Sequence, residues 1–146
     1  MKITIIDYGA GNVQSVLFAL ERLDFEGNVT NDWNTIKSAD KVIFPGVGEA
    51  SSAMKMLQES GLDVLIPTLK QPVLGICLGM QLMCKHSDEG NTNGLGIFDV
   101  NVVKFSKEVK AALIAILAIV SFVIFFQFIK GKSFFSSDNH FFVKYD

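Results

Sequence analysis

The stretch Val73-Leu74-Gly75-Ile76-Cys77-Leu78-Gly79-Met80-Gln81 decides how this chain is read. Residues 73–76 are apolar, which suits a buried strand, and the run from Leu78 to Lys85 reads as a helix. Between them a cysteine stands with a glycine two residues before it and another two residues after it. This is the thiol version of the G-x-S-x-G elbow. A sharp strand-to-helix turn needs small neighbours on both sides, and Gly75 and Gly79 supply them. Such a turn lifts the Cys77 sulfur over the sheet edge. The helix N-terminus beneath it has unpaired N–H groups and partial positive charge, a field that suits an anionic sulfur. The Leu78 N–H would then face an oxyanion developing on a substrate. An arbitrary free cysteine is more often a small buried hydrophobe; the flanking glycines and the strand–helix context reverse that expectation for Cys77. Cys84, further along the same helix, keeps it and is expected in the core.

Working outward, residues 3–6 form an apolar first strand, and Tyr8-Gly9-Ala10-Gly11-Asn12 is a glycine-rich turn. Val13, Val16, Leu17, Leu20 and Leu23 then recur at helical spacing. Residues 25–30 suit a short second strand. Lys41-Val42-Ile43-Phe44 is a third, stopped by Pro45-Gly46, and a helix with Met54 and Leu57 on one face follows. Residues 91–96 read as a loop and residues 100–105 as another strand. Strands alternating with helices in roughly 25-residue units argue for an α/β fold with a mostly parallel sheet flanked by helices. Chemistry in such sheets gathers in the loops at the carboxyl ends of the strands. Three loops qualify: 8–12, 45–49 and 77–81. Pro45-Gly46-Val47-Gly48 could donate a second N–H to an oxyanion, or be an ordinary strand-ending turn. Asp7–Asn12 carries half of a dinucleotide-binding fingerprint, which is weak without its third glycine.

The chain has 146 residues, enough for one domain with a real core, and a net charge of −2. With no basic stripe, nucleic-acid binding is not expected. Two cysteines make no disulfide framework, no CxxC pair suggests a metal, and a reducing, cytoplasmic setting fits. The N-terminal apolar run is too short for a secretory signal.

Asp7-Tyr8-Gly9-Ala10-Gly11-Asn12 with Ser15-Val16, Pro45-Gly46-Val47-Gly48, Gly75-Ile76-Cys77-Leu78-Gly79-Met80-Gln81 and Gly94-Leu95-Gly96 together resemble the class I glutamine amidotransferases. The opening motif and the Met80-Gln81 pair resemble the glutaminase subunits of imidazole glycerol phosphate synthase in particular. The resemblance covers residues 1–106. It implies a flavodoxin-like α/β fold, no cofactor and no metal. Cys77 would be the catalytic nucleophile toward the side-chain amide of glutamine. Val47, Gly48 and Leu78 would form the oxyanion hole, and Gln81 would help to hold the substrate. A (β/α)₈-barrel cyclase would be the partner in a heterodimer. It would use the ammonia to make imidazole glycerol phosphate and an aminoimidazole carboxamide ribotide in histidine biosynthesis.

The family pattern also asks for a His base and a Glu orienter beyond the elbow. This chain has two histidines, His86 on the helix after the elbow and His140 near the C-terminus, and neither stands in the family's His-x-Glu spacing. Residues 107–146 depart from the family, so the amidotransferase domain is expected to be incomplete toward its C-terminus. Within them lies the nineteen-residue segment AALIAILAIVSFVIFFQFI, residues 111–129, flanked by lysines. As a helix it would be about 28 Å long, near the thickness of a bilayer core. A membrane span, a buried core helix and a shifted or fused reading frame are the three readings. The abrupt switch after Val102-Val103-Lys104-Phe105 favours the last, and with it an inactive remnant as the alternative to a working glutaminase. A membrane-anchored binding module is the third functional alternative, should the segment be a genuine span.

Overall fold

β-branched and apolar residues at Ile3–Ile6 build β1, the centre of a parallel sheet. The computed structural model describes residues 1–104 and 106, and Met1–Lys104 form one unit. The sheet also contains β2 (Gly27–Thr30), β3 (Lys41–Gly46) and β4 (Val73–Cys77), in the order β2-β1-β3-β4 with all neighbours parallel. That order is the doubly wound arrangement, with helices required on both faces.

Period-two alternation divides the side chains between those faces. Ile3, Ile5 and Ile43 point to one side and meet Leu20 of α1 (Val13–Glu21). Ile6, Val42 and Phe44 point to the other, where α2 (Trp33–Lys37), α3 (Ala50–Ser60), α4 (Leu62–Leu65) and a 3₁₀ turn at Ile66–Thr68 cover them. α3 buries Ala50, Ala53, Met54 and Leu57, the face its helical spacing predicts.

Four sequence expectations need correction. β3 does not stop before Pro45-Gly46: Pro45 pairs with Ile76 and Gly46 with Cys77. Proline is tolerated there because the pairing of β3 with β1 ends at Ile43, which leaves position 45 without a partner on that side among the described residues. The helix after the elbow, α5, spans only Leu78–Leu82. Cys84–Ser87 is a strand, β5, in a second sheet with β6 (Thr92–Asn93) and β7 (Phe98–Val102) in the order β6-β5-β7. The expected loop at 91–96 therefore contains β6, and the last expected strand starts two residues earlier, at Phe98. The segment 111–129 lies outside the described residues; among those described, no helix is long and apolar enough to cross a membrane.

Candidate active site at the β4–α5 elbow

Cys77 joins β4 to α5 with φ 52° and ψ −118°. A non-glycine residue there is rare, and holding it costs about 1–3 kcal/mol, tolerated where surrounding structure over-determines it. The surroundings do so here. A Cβ on Gly75 would lie 2.6 Å from Met80 Cα and 2.8 Å from Met80 N. A Cβ on Gly79 would overlap the Phe44 carbonyl oxygen. The two flanking glycines therefore let the first turn of α5 fold directly onto β4 and β3. Cys77 is exposed at this turn, while Leu78 is buried at 2 %. Among the described residues no side chain caps α5, and the first N–H groups of a helix have no partner within it. A single turn has little macrodipole, and these local N–H groups carry the polarity of the site.

The three loops singled out from the sequence converge. Gly46 pairs with Cys77 in the sheet register, so Val47 and Gly48 emerge beside the elbow. Val47 is 49 % exposed, and Gly48 takes φ +95° with open space around it. The β1–α1 loop reaches the same place: a Cβ on Gly11 would stand 3.2 Å from Pro45 Cγ. That loop is held locally. Gly9 N–H donates to Asp7 Oδ1 at 3.1 Å, and Asn12 Oδ1 caps α1 by accepting from Ser15 N–H at 3.1 Å. Tyr8 packs its ring on Phe44 with centroids 5.5 Å apart. Its buried hydroxyl has no hydrogen-bond partner among the described residues. Burial pushes the Tyr8 phenol up to about 12.

A cavity of about 420 Å³ runs between α1, β3 and β4, with Cys77, Gly46 and Val47 at one end and Leu74, Ile76 and Leu23 along it. Val47 and Cys77 thus share a wall. Gly48, Leu78 and Gln81 are not part of its lining; Gln81 sits half-buried on α5. His86 lies on β5, not on a helix as the sequence suggested, and its Nδ1 is 3.3 Å from Asn93 Oδ1. Cys84 is buried on the same strand, and His140 lies outside the described residues. The convergence of Tyr8 on Gly46 was missed in the sequence. Its signal was the aromatic residue inside an otherwise small-residue turn.

Comparison with known proteins places this geometry. The profile of the family "Glutamine amidotransferase class-I" matches residues 4–116. A second profile, "Domain of unknown function (DUF8434)", matches residues 104–136, almost all outside the described residues. The chain is 59 % identical over 106 residues to the imidazole glycerol phosphate synthase subunit HisH of Bacteroides fragilis, covering 73 % of this chain and 54 % of that protein. It is 56 % identical over 97 residues to the subunit of the same name from Haemophilus influenzae, covering 66 % of this chain and 49 % of that one. This chain therefore spans about half the length of the curated relatives it matches. A crystal structure of a glutamine amidotransferase superposes with TM-score 0.59 at 20 % identity, covering 69 % of this chain and 56 % of that one, which supports the fold. The profile match extends over most of the sequence and includes the elbow, the β3 loop and the β1–α1 loop, so the chain belongs to the class-I glutamine amidotransferase family.

Proposed function

We propose that the chain is a glutaminase subunit of an imidazole glycerol phosphate synthase, with Cys77 as nucleophile. The observation that carries this reading is the exposed sulfur on a strained elbow beside the Gly46–Gly48 segment. The Cys77 thiolate attacks the side-chain carbonyl carbon of glutamine, and the carbonyl oxygen gains negative charge. N–H groups from Leu78 and from the Val47–Gly48 segment stabilise that charge. The C–N bond breaks, a proton goes to the leaving nitrogen, and ammonia departs from a glutamyl thioester. Water then cleaves the thioester, releasing glutamate and restoring the thiol. Gln81, on the helix that begins at the elbow, helps to hold the glutamine.

The name borne by the relatives, a synthase subunit, supports a partner. We assign that role to a (β/α)₈-barrel cyclase that receives the ammonia and releases imidazole glycerol phosphate and the aminoimidazole carboxamide ribotide, in the cytoplasm. Residues 1–106 are the N-terminal part of the amidotransferase domain, and residues 107–146 are a separate tail. Turnover also needs a group that carries the proton to nitrogen. His86, engaged with Asn93, is not assigned that role.

Labelling separates the nucleophile from turnover. The full chain is treated with a chloromethyl ketone derived from glutamine and digested for mass spectrometry. One label at Cys77, suppressed by excess glutamine and lost in Cys77→Ala, is the expected result. Reaction with iodoacetamide but none with the glutamine analogue would refute the proposal. Glutamine hydrolysis, measured with the cyclase present, then tests turnover itself.

A further inference from the structure

Tyr8 carries chemistry that the glutaminase reading leaves unused. It is 6 % exposed, and its hydroxyl is the buried side-chain oxygen without a hydrogen-bond partner among the described residues. Such a group is costly, because it has lost water and gained nothing in return. A phenylalanine would fill the same space against Phe44 without that cost. The hydroxyl also occupies a particular place. A Cβ on Gly46 would lie 2.9 Å from it and 2.5 Å from Gly79 N. The oxygen therefore stands where the β1–α1 loop, the end of β3 and the first turn of α5 meet, beneath the elbow. Burial, which raises its pKa to about 12, keeps the proton on the oxygen at neutral pH, so it is a donor.

We infer that Tyr8 is a positioning residue for the Cys77 site: as Cys77 attacks the glutamine held in the cleft, the Tyr8 hydroxyl donates to a backbone carbonyl of the Gly46–Gly48 segment and fixes that segment against the elbow. This rests on the glutaminase reading. The donor has no partner among the described residues of the ligand-free chain and gains one in the arrangement competent for attack. An interaction made only there accelerates the chemical step rather than binding. The role is exerted through the loop; the hydroxyl itself touches no substrate.

The test compares the full chain with its Tyr8→Phe variant. Labelling by the glutamine chloromethyl ketone is followed over a concentration series, which separates the limiting rate from the half-saturating concentration. Iodoacetamide labelling of Cys77 and thermal unfolding are measured in parallel. Loss of one hydrogen bond present only in the attacking arrangement predicts a limiting rate about tenfold lower. The half-saturating concentration and the iodoacetamide rate stay the same, and the unfolding midpoint stays the same or rises. Equal limiting rates would overturn the inference, as would a parallel fall in the iodoacetamide rate. A lower unfolding midpoint would also overturn it, since the hydroxyl would then have a partner already. If the wild-type chain reacts with iodoacetamide but not with the glutamine analogue, the glutaminase reading itself fails and this inference fails with it.

Discussion

At residue 79 the backbone amide of α5 presses so closely on the end of β3 that a methyl group would collide with the Phe44 carbonyl oxygen. At residue 48 a methyl group would meet nothing, although φ is +95°. The two positions separate packing from backbone strain. Gly79→Ala is expected to cost about 3 kcal/mol or slightly more, because backbone must move to admit the Cβ. Gly48→Ala is expected to cost about 1–2 kcal/mol from the left-handed conformation alone. Urea unfolding of both variants checks the order, and equal losses would mean that the elbow is not packed this tightly. Tyr8 adds a pH signature. Its folded-state pKa, about 12, lies above the unfolded value near 10, so the folded chain holds this proton more tightly. The associated stability is complete below about pH 10 and is lost as pH rises toward 12. Unfolding midpoints across that window should fall less steeply in Tyr8→Phe than in the wild type.

At the scale of elements, short pieces are governed by local capping or by distant partners. α2 has five residues, too few for periodicity to reveal it, and the sequence reading passed over it. Its start is set by Asp32, whose Oδ1 accepts from Thr35 N–H at 2.8 Å and from Thr35 Oγ1 at 2.7 Å. Those Thr35 bonds, the side-chain one first, hold the Asp32 carboxyl below its ordinary value. The sign follows: the contribution is present above the unfolded carboxyl pKa and is lost as pH falls through the lower folded one. Asp32→Ala should therefore lower the unfolding midpoint at neutral pH, and the gap to wild type should narrow in acid. β5 is the opposite case. Leu78, Leu82 and Lys85 fit a continuing helix, so the sequence alone extended α5 through them. The strand exists because of pairing at a distance: Cys84 aligns with Phe98 and His86 with Asn93 and Asn101. Lys85 Nζ also meets Asp99 Oδ1 at 2.9 Å. None of these pairings leaves a local pattern. The strands β1, β3 and β4 were legible because long apolar runs bounded by glycine admit few readings, and the elbow was legible because the spacing of two glycines about one cysteine is itself steric information. The aim of the Tyr8 hydroxyl was not legible, since it depends on where Gly46 and Gly79 meet.

Across the described residues as a whole, the unequal cover on the two sheet faces is the dominant feature. The face holding Phe44 and Val42 is packed under α3, α4 and α5, whereas α1 covers only part of the other. Among the described residues β4 ends the sheet, and on the less covered side Leu74 is 58 % exposed and Ile76 is 38 % exposed. Both line the groove that leads to Cys77. An edge strand with apolar side chains beside an open groove invites association, because it offers unpaired backbone groups and apolar surface together. A lysine at position 74 should oppose this, since its stem can lie along the groove while its ammonium group reaches water. Leu74→Lys is therefore expected to raise the concentration at which the full chain stays monodisperse in light scattering. Its unfolding free energy should stay within about 0.5 kcal/mol of the wild type, as for a substitution outside the core. Unchanged association would mean that the β4 face is not what drives it. A loss of several kcal/mol would mean that Leu74 is packed rather than exposed.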